Sequence, residues 1–292
     1  MELLSTRLPS RGLLKISGKD RFLFLQGIIT NDIYKLENVP IIYSALLTPQ
    51  GKFLFDFFVY AQGDVFLLEC QEGRLPELMK KLSLYKLRSQ VVFEDVSSDY
   101  DIIVGAPVPG LEAYFNEDPR LPDLGIRGVV PVRKMLGQVQ DDIVLYNAHR
   151  ISLGVPDGSV DLIPDKSILL ENGMDELQAI DWKKGCYMGQ ELTARTRYRG
   201  LVRKRLFPLR VEGEAPAFGE KICYEGDEVG EMRSSQNEKG LALIRLEAFQ
   251  KFQEKGEPFT YQETRLFPYC PDWMDFTFPE ESTKSENPPG NS

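Results

Sequence analysis

The chain predicts an α+β protein, with a mixed helix-and-strand region over residues 1–200 and a small antiparallel β-barrel over residues 201–275. Three observations carry this. In the first region, apolar runs of strand length are interspersed with segments of helical spacing. After Gly200, short strand-like segments recur, punctuated by Gly213, Gly219, Gly226 and Gly240, as in a small barrel. The 292 residues are 42% apolar and 27% charged, ordinary values for a globular chain with room for two domains.

The elements follow in order. Residues 12–17 read as a strand closed by Gly18, after which Asp20 caps a short helix through Phe22, Leu23, Leu25 and Gln26. Residues 41–47 and 52–60 flank Thr48-Pro49-Gln50-Gly51, a hairpin signal in which Pro and Gly supply the turn. Val65–Cys70 is a further strand. Pro76 opens a helix with Leu75, Leu78, Met79, Leu82 and Tyr85 on one face. Val91–Phe93, Ile102–Val104 and Arg127–Val132 read as strands, and residues 105–125 as loop. Asp141 and Asp142 precede a helix to about Ser152, and Asp175–Ile180 predicts a short helix before Trp182. The barrel strands are Leu206–Val211, Lys221–Tyr224, Glu228–Arg233, Leu241–Arg245 and Pro258–Gln262. Residues 279–292 are Pro-, Glu-, Ser- and Asn-rich and read as a disordered tail.

Composition excludes several classes. Lys and Arg number 35 against 44 Asp and Glu, a net charge of −9 that argues against direct nucleic-acid binding through overall charge. No run approaches the about 18 apolar residues of a membrane span. The four cysteines, Cys70, Cys186, Cys223 and Cys270, form no CxxC pair, so no metal site is expected. His149 is the one histidine, and packing or capping explains it better than catalysis. Residues 1–15 are basic and weakly resemble a transit peptide, but Leu13–Ile16 already reads as a strand, so a cytoplasmic location is expected.

Three stretches carry candidate chemistry. In Lys183-Lys184-Gly185-Cys186-Tyr187-Met188-Gly189-Gln190-Glu191, two glycines bracket a cysteine. A lone cysteine is more often a small buried hydrophobe. Here the lysines would favour its thiolate if they point toward the sulfur. Next, Arg195, Arg197, Arg199, Arg203, Lys204 and Arg205 place six cations within eleven residues of an acidic chain. They are either a solvated face or a seat for an anion or partner. Third, on the strand Phe53–Tyr60, alternation sets Phe53, Phe55, Phe57 and Val59 on one face and Leu54, Asp56, Phe58 and Tyr60 on the other. Asp56 is thus a carboxylate in an apolar strand, held by a structural hydrogen bond or by a ligand.

The stretch Lys184-Gly185-Cys186-Tyr187-Met188-Gly189-Gln190-Glu191 resembles the K-G-C-[YF]-x-G-Q-E signature of the YgfZ family, relatives of the glycine-cleavage T-protein. Leu25-Gln26-Gly27-Ile28-Ile29-Thr30-Asn31-Asp32 and Leu47-Thr48-Pro49-Gln50-Gly51-Lys52 are similar to its N-terminal motifs. Thr193-Ala194-Arg195-Thr196 and Arg203-Lys204-Arg205-Leu206 resemble the branch that contains the mitochondrial iron–sulfur assembly factor and its bacterial relatives. The resemblance implies a T-protein-like folate-binding region followed by a barrel. It implies tetrahydrofolate or another folate as ligand, with Asn31 and Asp56 as contacts. It also implies support of [4Fe–4S] enzymes, and so indirectly of tRNA modification, with Cys186 as the functional thiol. Iron–sulfur client or assembly proteins are then the expected partners of a monomer, and Arg195, Arg197 and Arg199 hold a partner or an anion. The T-protein has two adjacent acids on the strand after the hairpin. Phe55-Asp56 stands there in this chain, which weighs against the alternative of an aminomethyltransferase or demethylase.

Overall fold

The computed structural model describes residues 4–135, 139, 142–200 and 202–275. The chain runs β1 (Thr6–Arg7), β2 (Arg11–Ser17), α1 (Arg21–Gln26), β3 (Ile41–Leu47), β4 (Phe53–Gln62), β5 (Val65–Gln71), α2 (Leu75–Lys86) and β6 (Val92–Asp95). It continues through β7 (Tyr100–Gly105), β8 (Phe115–Glu117), β9 (Ile126–Pro131), α3 (Ile143–Ser152), α4 (Gly158–Asp161) and α5 (Gln190–Tyr198). Last come β10 (Lys204–Glu212), β11 (Lys221–Tyr224), β12 (Asp227–Gln236), β13 (Lys239–Arg245), α6 (Leu246–Lys255), β14 (Phe259–Tyr261) and β15 (Thr264–Pro268).

Two sheets form the first region, one of five strands ordered β3-β4-β5-β2-β6 and one of four ordered β1-β7-β9-β8. The larger sheet is covered on both faces, which is why β3 is buried along its whole length and β4 along all but its last two residues. Leu14, Ile16, Phe57, Val59 and Leu68 pack with Phe24 and Leu25 of α1 and with Leu78 and Leu82 of α2. Tyr43, Ala45, Phe58 and Tyr60 face the other core. The sequence alternation fails at the start of β4. A register shift opposite Leu46 and Leu47 inserts one residue, so Phe53 joins the cluster of Phe58 and Tyr60, while Leu54 joins that of Phe55 and Phe57.

The third sheet is a closed barrel in the order β10-β13-β12-β11-β14-β15. Two of its elements are absent from the sequence reading. Strand β15 closes the barrel by pairing with β10 and β14. Helix α6 presents Leu246, Ala248 and Phe249 inward, and Phe249 stacks on Phe207 with ring centroids 4.0 Å apart. The helix expected over Asp175–Ile180 is instead a run of turns. Gln178 takes φ +63°, which turns the Gln178 and Ala179 carbonyls toward Asn31 Nδ2 (2.8 Å) and Thr30 Oγ1 (2.6 Å). The expected disordered tail lies outside the described residues.

After β15 the chain returns to the first region. Tyr269 donates its hydroxyl to the Ser152 carbonyl (2.8 Å), and Trp273 donates its indole N–H to the Leu153 carbonyl (2.7 Å). Arg205 of β10 donates to the Leu170 carbonyl (2.9 Å) and pairs with Glu176. Among the described residues no helix is long and apolar enough to cross a membrane.

Candidate functional site

The Cys186 loop is shaped by backbone contact. Gly189 caps α5 at φ +80°, and a Cβ there would meet the Thr48 carbonyl at 2.4 Å. Gly51, at φ +78° in the β3–β4 turn, would drive a Cβ to 2.7 Å from the Gly189 carbonyl. Two glycines 138 positions apart are therefore needed at one crossing, where hairpin tip and loop lie backbone to backbone. Met188 N–H donates to the Gly27 carbonyl (3.1 Å), so the loop also grips the end of α1. Cys186 and Gly185 stand exposed at the surface.

The neighbouring lysine does not serve the sulfur. Lys184 Nζ turns inward and donates to the carbonyls of Ile29 (2.6 Å) and Asn31 (2.7 Å). Burial pushes its ammonium down to about 8, against a pull upward from Asp32 and Asp181. Its role is to fasten the loop to residues 29–31, not to activate the thiol. Asn31 is equally committed. Its Nδ2 donates to the Tyr43 and Gln178 carbonyls, and its Oδ1 accepts from Asp32 N–H and Lys35 Nζ, which fills its hydrogen-bonding capacity.

Asp56 lies elsewhere, in a cavity of about 220 Å³ between the first region and the barrel. Arg11, Arg120, Arg127, Arg150 and Asp157 line it with Asp56 and Phe58, and Ser234 and Ser235 of β12 close one side. Behind it runs a buried ion network. Glu69 accepts from Arg127 (2.6 Å) and Arg11 (2.7 Å), Asp118 from Arg120 (2.8 Å) and Arg127 (3.4 Å), and Asp161 from Arg150 (2.9 Å). The Arg127 guanidinium sits 3.8 Å from the Phe58 ring centre and that of Arg120 4.9 Å.

The carboxyls in and behind the cavity differ in charge state. Burial alone would raise Glu69, but Arg127 and Arg11 outweigh it and hold the group at about 2. Burial likewise opposes ionisation of Asp157, yet Arg11 and Arg150 keep it below the ordinary carboxylate range. Asp56 goes the other way. Burial raises it first and the negative charge of Asp157 adds to this, against Arg11 and the 2.8 Å hydrogen bond donated by Tyr43. The site thus pairs a carboxyl inclined to hold its proton with one inclined to lose it. Gly158 makes this packing possible, since a Cβ there would lie 2.1 Å from Asp56 Oδ1.

The expected site residues fall into separate places. Asp56 lines the cavity, whereas Asn31 and Cys186 do not. The cation cluster also divides. Arg205 is buried in the barrel–core contact, Arg197 lies 4.1 Å over the Trp182 ring, Arg195 pairs with Glu191 at 2.7 Å, and Arg199, Arg203 and Lys204 are exposed. Sequence reasoning missed Arg11, Arg120, Arg127, Arg150 and Asp157. Each is an ordinary charged residue in its local context, and only the fold gathers them. His149 Nε2 lies 2.7 Å from the Asp123 carbonyl, a structural contact.

Residues 203–276 match the family model described as CAF17, C-terminal beta-barrel domain. The chain is 33% identical to the iron-sulfur cluster assembly factor IBA57, mitochondrial, of Mus musculus, over 82% of this chain and 77% of that one. The Homo sapiens protein of the same name gives 33% identity over 82% and 76%. The homologue from Mycosarcoma maydis is 35% identical over 70% of this chain, which spans 56% of that longer protein. The crystal structure of the glycine cleavage system aminomethyltransferase T from Bartonella henselae superposes with a TM-score of 0.70, covering 91% of this chain and 85% of that one. At 14% identity that likeness concerns fold alone, a T-protein-like fold carrying a C-terminal six-stranded barrel. The relatives' names overturn the expected cytoplasmic location, because they are mitochondrial proteins.

Proposed function

The chain belongs to the family of IBA57-type iron–sulfur cluster assembly factors, and from that membership we propose that it supports assembly or repair of [4Fe–4S] proteins, with the head group of a folate held in the Asp56 cavity. One observation carries the proposal: an exposed thiol and an enclosed charged cavity are two separate features of one chain. The thiol then meets a client or assembly protein at the surface, and iron or cluster is its cargo. One thiolate is far short of the four of an all-cysteine cluster site, so lasting ligation requires other groups. The exposed Arg195 and Arg197 of α5, with Arg199 at its C-terminal cap, supply a cationic approach for such a partner.

The cavity residues fit a folate head. Its volume lies under the roughly 300–1,000 Å³ of sites that bury a drug-sized ligand, so a bicyclic ring enters and the remainder stays outside. Phe58 offers an aromatic wall, Asp56 and Asp157 accept from N–H groups, and the guanidiniums donate to ring acceptors. A reduced folate, when bound, supplies one-carbon chemistry, and the role in tRNA modification follows indirectly through iron–sulfur enzymes that modify tRNA.

The test is a tetrahydrofolate titration of wild type, Asp56→Ala and Cys186→Ala, alongside rescue of [4Fe–4S] enzyme activity in cells lacking the native protein. Asp56→Ala should lose folate binding. Cys186→Ala should bind folate normally and fail to rescue. Full rescue by Cys186→Ala would remove the thiol from the function, and catalytic formation of methylene-tetrahydrofolate from a methylamine would favour the transferase alternative.

A further inference from the structure

Away from the cavity, one corner of the molecule holds apolar side chains out in solvent. Leu23 of α1 is 73% exposed, Leu84 of α2 63%, and Leu87 at the C-terminal cap of α2 88%. These are three of the four most exposed large hydrophobic side chains among the described residues. They are neighbours. Leu84 and Leu87 lie three positions apart at the end of α2, and Leu23 and Leu87 line one open trough with Asp20, Arg88 and Ser89. Single exposed leucines are ordinary on a protein surface, whereas a cluster of them marks a contact.

The backbone at Leu87 is strained as well. It takes φ +47°, a region that favours glycine. At its exposure the leucine gains almost no packing within the chain to offset that strain. Backbone strain of this kind collects at functional positions. The charge around the leucines is of one sign. Residues 78–93 contain Lys80, Lys81, Lys86 and Arg88 and no Asp or Glu, within a chain of net charge −9. Lys19 stands exposed next to Asp20 of the trough. The nearby acids are committed: Asp20 accepts from Gln90 N–H (2.7 Å), Glu77 pairs with Arg74 (3.2 Å) and Glu94 with Lys15 (2.8 Å).

A lipid surface fits this corner better than a folded partner. The leucines are knobs around a shallow trough, so a protein would need matching holes, whereas fluid acyl chains accept apolar knobs in any arrangement. A stable protein pair also uses roughly 20–30 residues a side, far more than this cluster offers. Interfacial lipid binding needs only a few inserted apolar side chains with cations at the headgroup level. The corner is also clear of the Asp56 cavity. The inner side of α2, Leu75, Leu78 and Leu82, packs on the sheet face opposite the one that holds Tyr43 and Phe58.

We propose that Leu23, Leu84 and Leu87, flanked by Lys19, Lys80, Lys86 and Arg88, dock the chain on an anionic lipid membrane without crossing it. The leucines enter the boundary between headgroups and acyl chains, and the cations meet lipid phosphates. Neither folate nor the Cys186 thiol takes part, so the surface is measured without them.

The experiment is flotation of the full chain with vesicles of phosphatidylcholine alone and of phosphatidylcholine mixed with phosphatidylglycerol. Binding is expected to the mixed vesicles and not to the neutral ones, and should weaken as salt is raised. Leu87→Asn places a residue that tolerates positive φ and should weaken binding about tenfold, through loss of one inserted side chain. Lys80→Gln and Arg88→Gln should each weaken it about fivefold. All three variants should keep the wild-type circular dichroism spectrum. No binding to mixed vesicles, or wild-type binding by folded Leu87→Asn or Arg88→Gln, overturns the proposal. So does saturable binding of an acidic amphipathic peptide in place of vesicles, which assigns the corner to a protein partner. A dimer in sedimentation that Leu87→Asn dissolves assigns it to a second copy and overturns the proposal equally.

Discussion

Cys186 stands in solvent on a loop held by one hairpin tip and the end of α1, whereas Asp56 is enclosed by side chains drawn from Arg11 through to Ser235. The loop is shaped by glycines and backbone carbonyls, and its thiol contributes nothing to packing. The cavity is shaped by buried charges, and each of its walls also supports the fold. Residues that serve contact with another protein can change without loss of stability, while residues that line an enclosed charged space cannot.

Substitutions in the two places test that contrast. The largest effect is expected at Glu69, the shared anchor of Arg11 and Arg127. Glu69→Gln leaves two buried guanidiniums underpaired and should cost about 3–5 kcal/mol in urea unfolding. The folded group titrates at about 2 against an ordinary 4.5, so the unfolded chain binds the extra proton between those values. Wild type should therefore lose stability as pH falls from 4.5 toward 2, and Glu69→Gln should lose less over that window.

Lys184 comes next. Lys184→Met removes two donations to buried carbonyls and should destabilise by about 1.5–3 kcal/mol. Here the folded ammonium titrates at about 8 against 10.5, so the folded state releases its proton first. Its ionised form weighs against folding below pH 8, and that burden lifts as pH rises to 10.5. Thermal melts across this window should show the rise in wild type and a flatter profile in the variant.

Gly158→Ala should cost about 1–3 kcal/mol by pressing a methyl group into the Asp56 carboxyl, and should weaken tetrahydrofolate binding in parallel. The smallest change in stability is expected at the surface. Cys186→Ser should leave chemical denaturation within about 0.5 kcal/mol of wild type while abolishing rescue of [4Fe–4S] enzymes. A large loss of stability there would erase the distinction between the two regions.

Legibility from sequence follows the same division. The hairpin at Thr48–Gly51, the strand of residues 65–70 and the Pro76 helix were readable because local pattern and burial agree. The glycine-framed Cys186 stretch was readable as a motif, though not the inward turn of Lys184. The alternation on β4 misled at Phe53 because a bulge is invisible in one strand read alone. Asp175–Ile180 misled because Thr30 and Asn31, far away in sequence, draw its carbonyls out of a helix. The arginine cavity was unreadable for the same reason on a larger scale: Arg11, Arg120 and Arg150 have no local signal that they converge.

The Tyr269 and Trp273 contacts to the end of α3 have a kinetic consequence. They latch the segment after the barrel's last strand to the end of α3, the helix that carries Arg150. Any hinge opening between barrel and core, a motion of microsecond-to-millisecond character, has to break both bonds first. Cutting the latch, with Trp273→Ala, should speed ligand exchange far more than it alters the equilibrium.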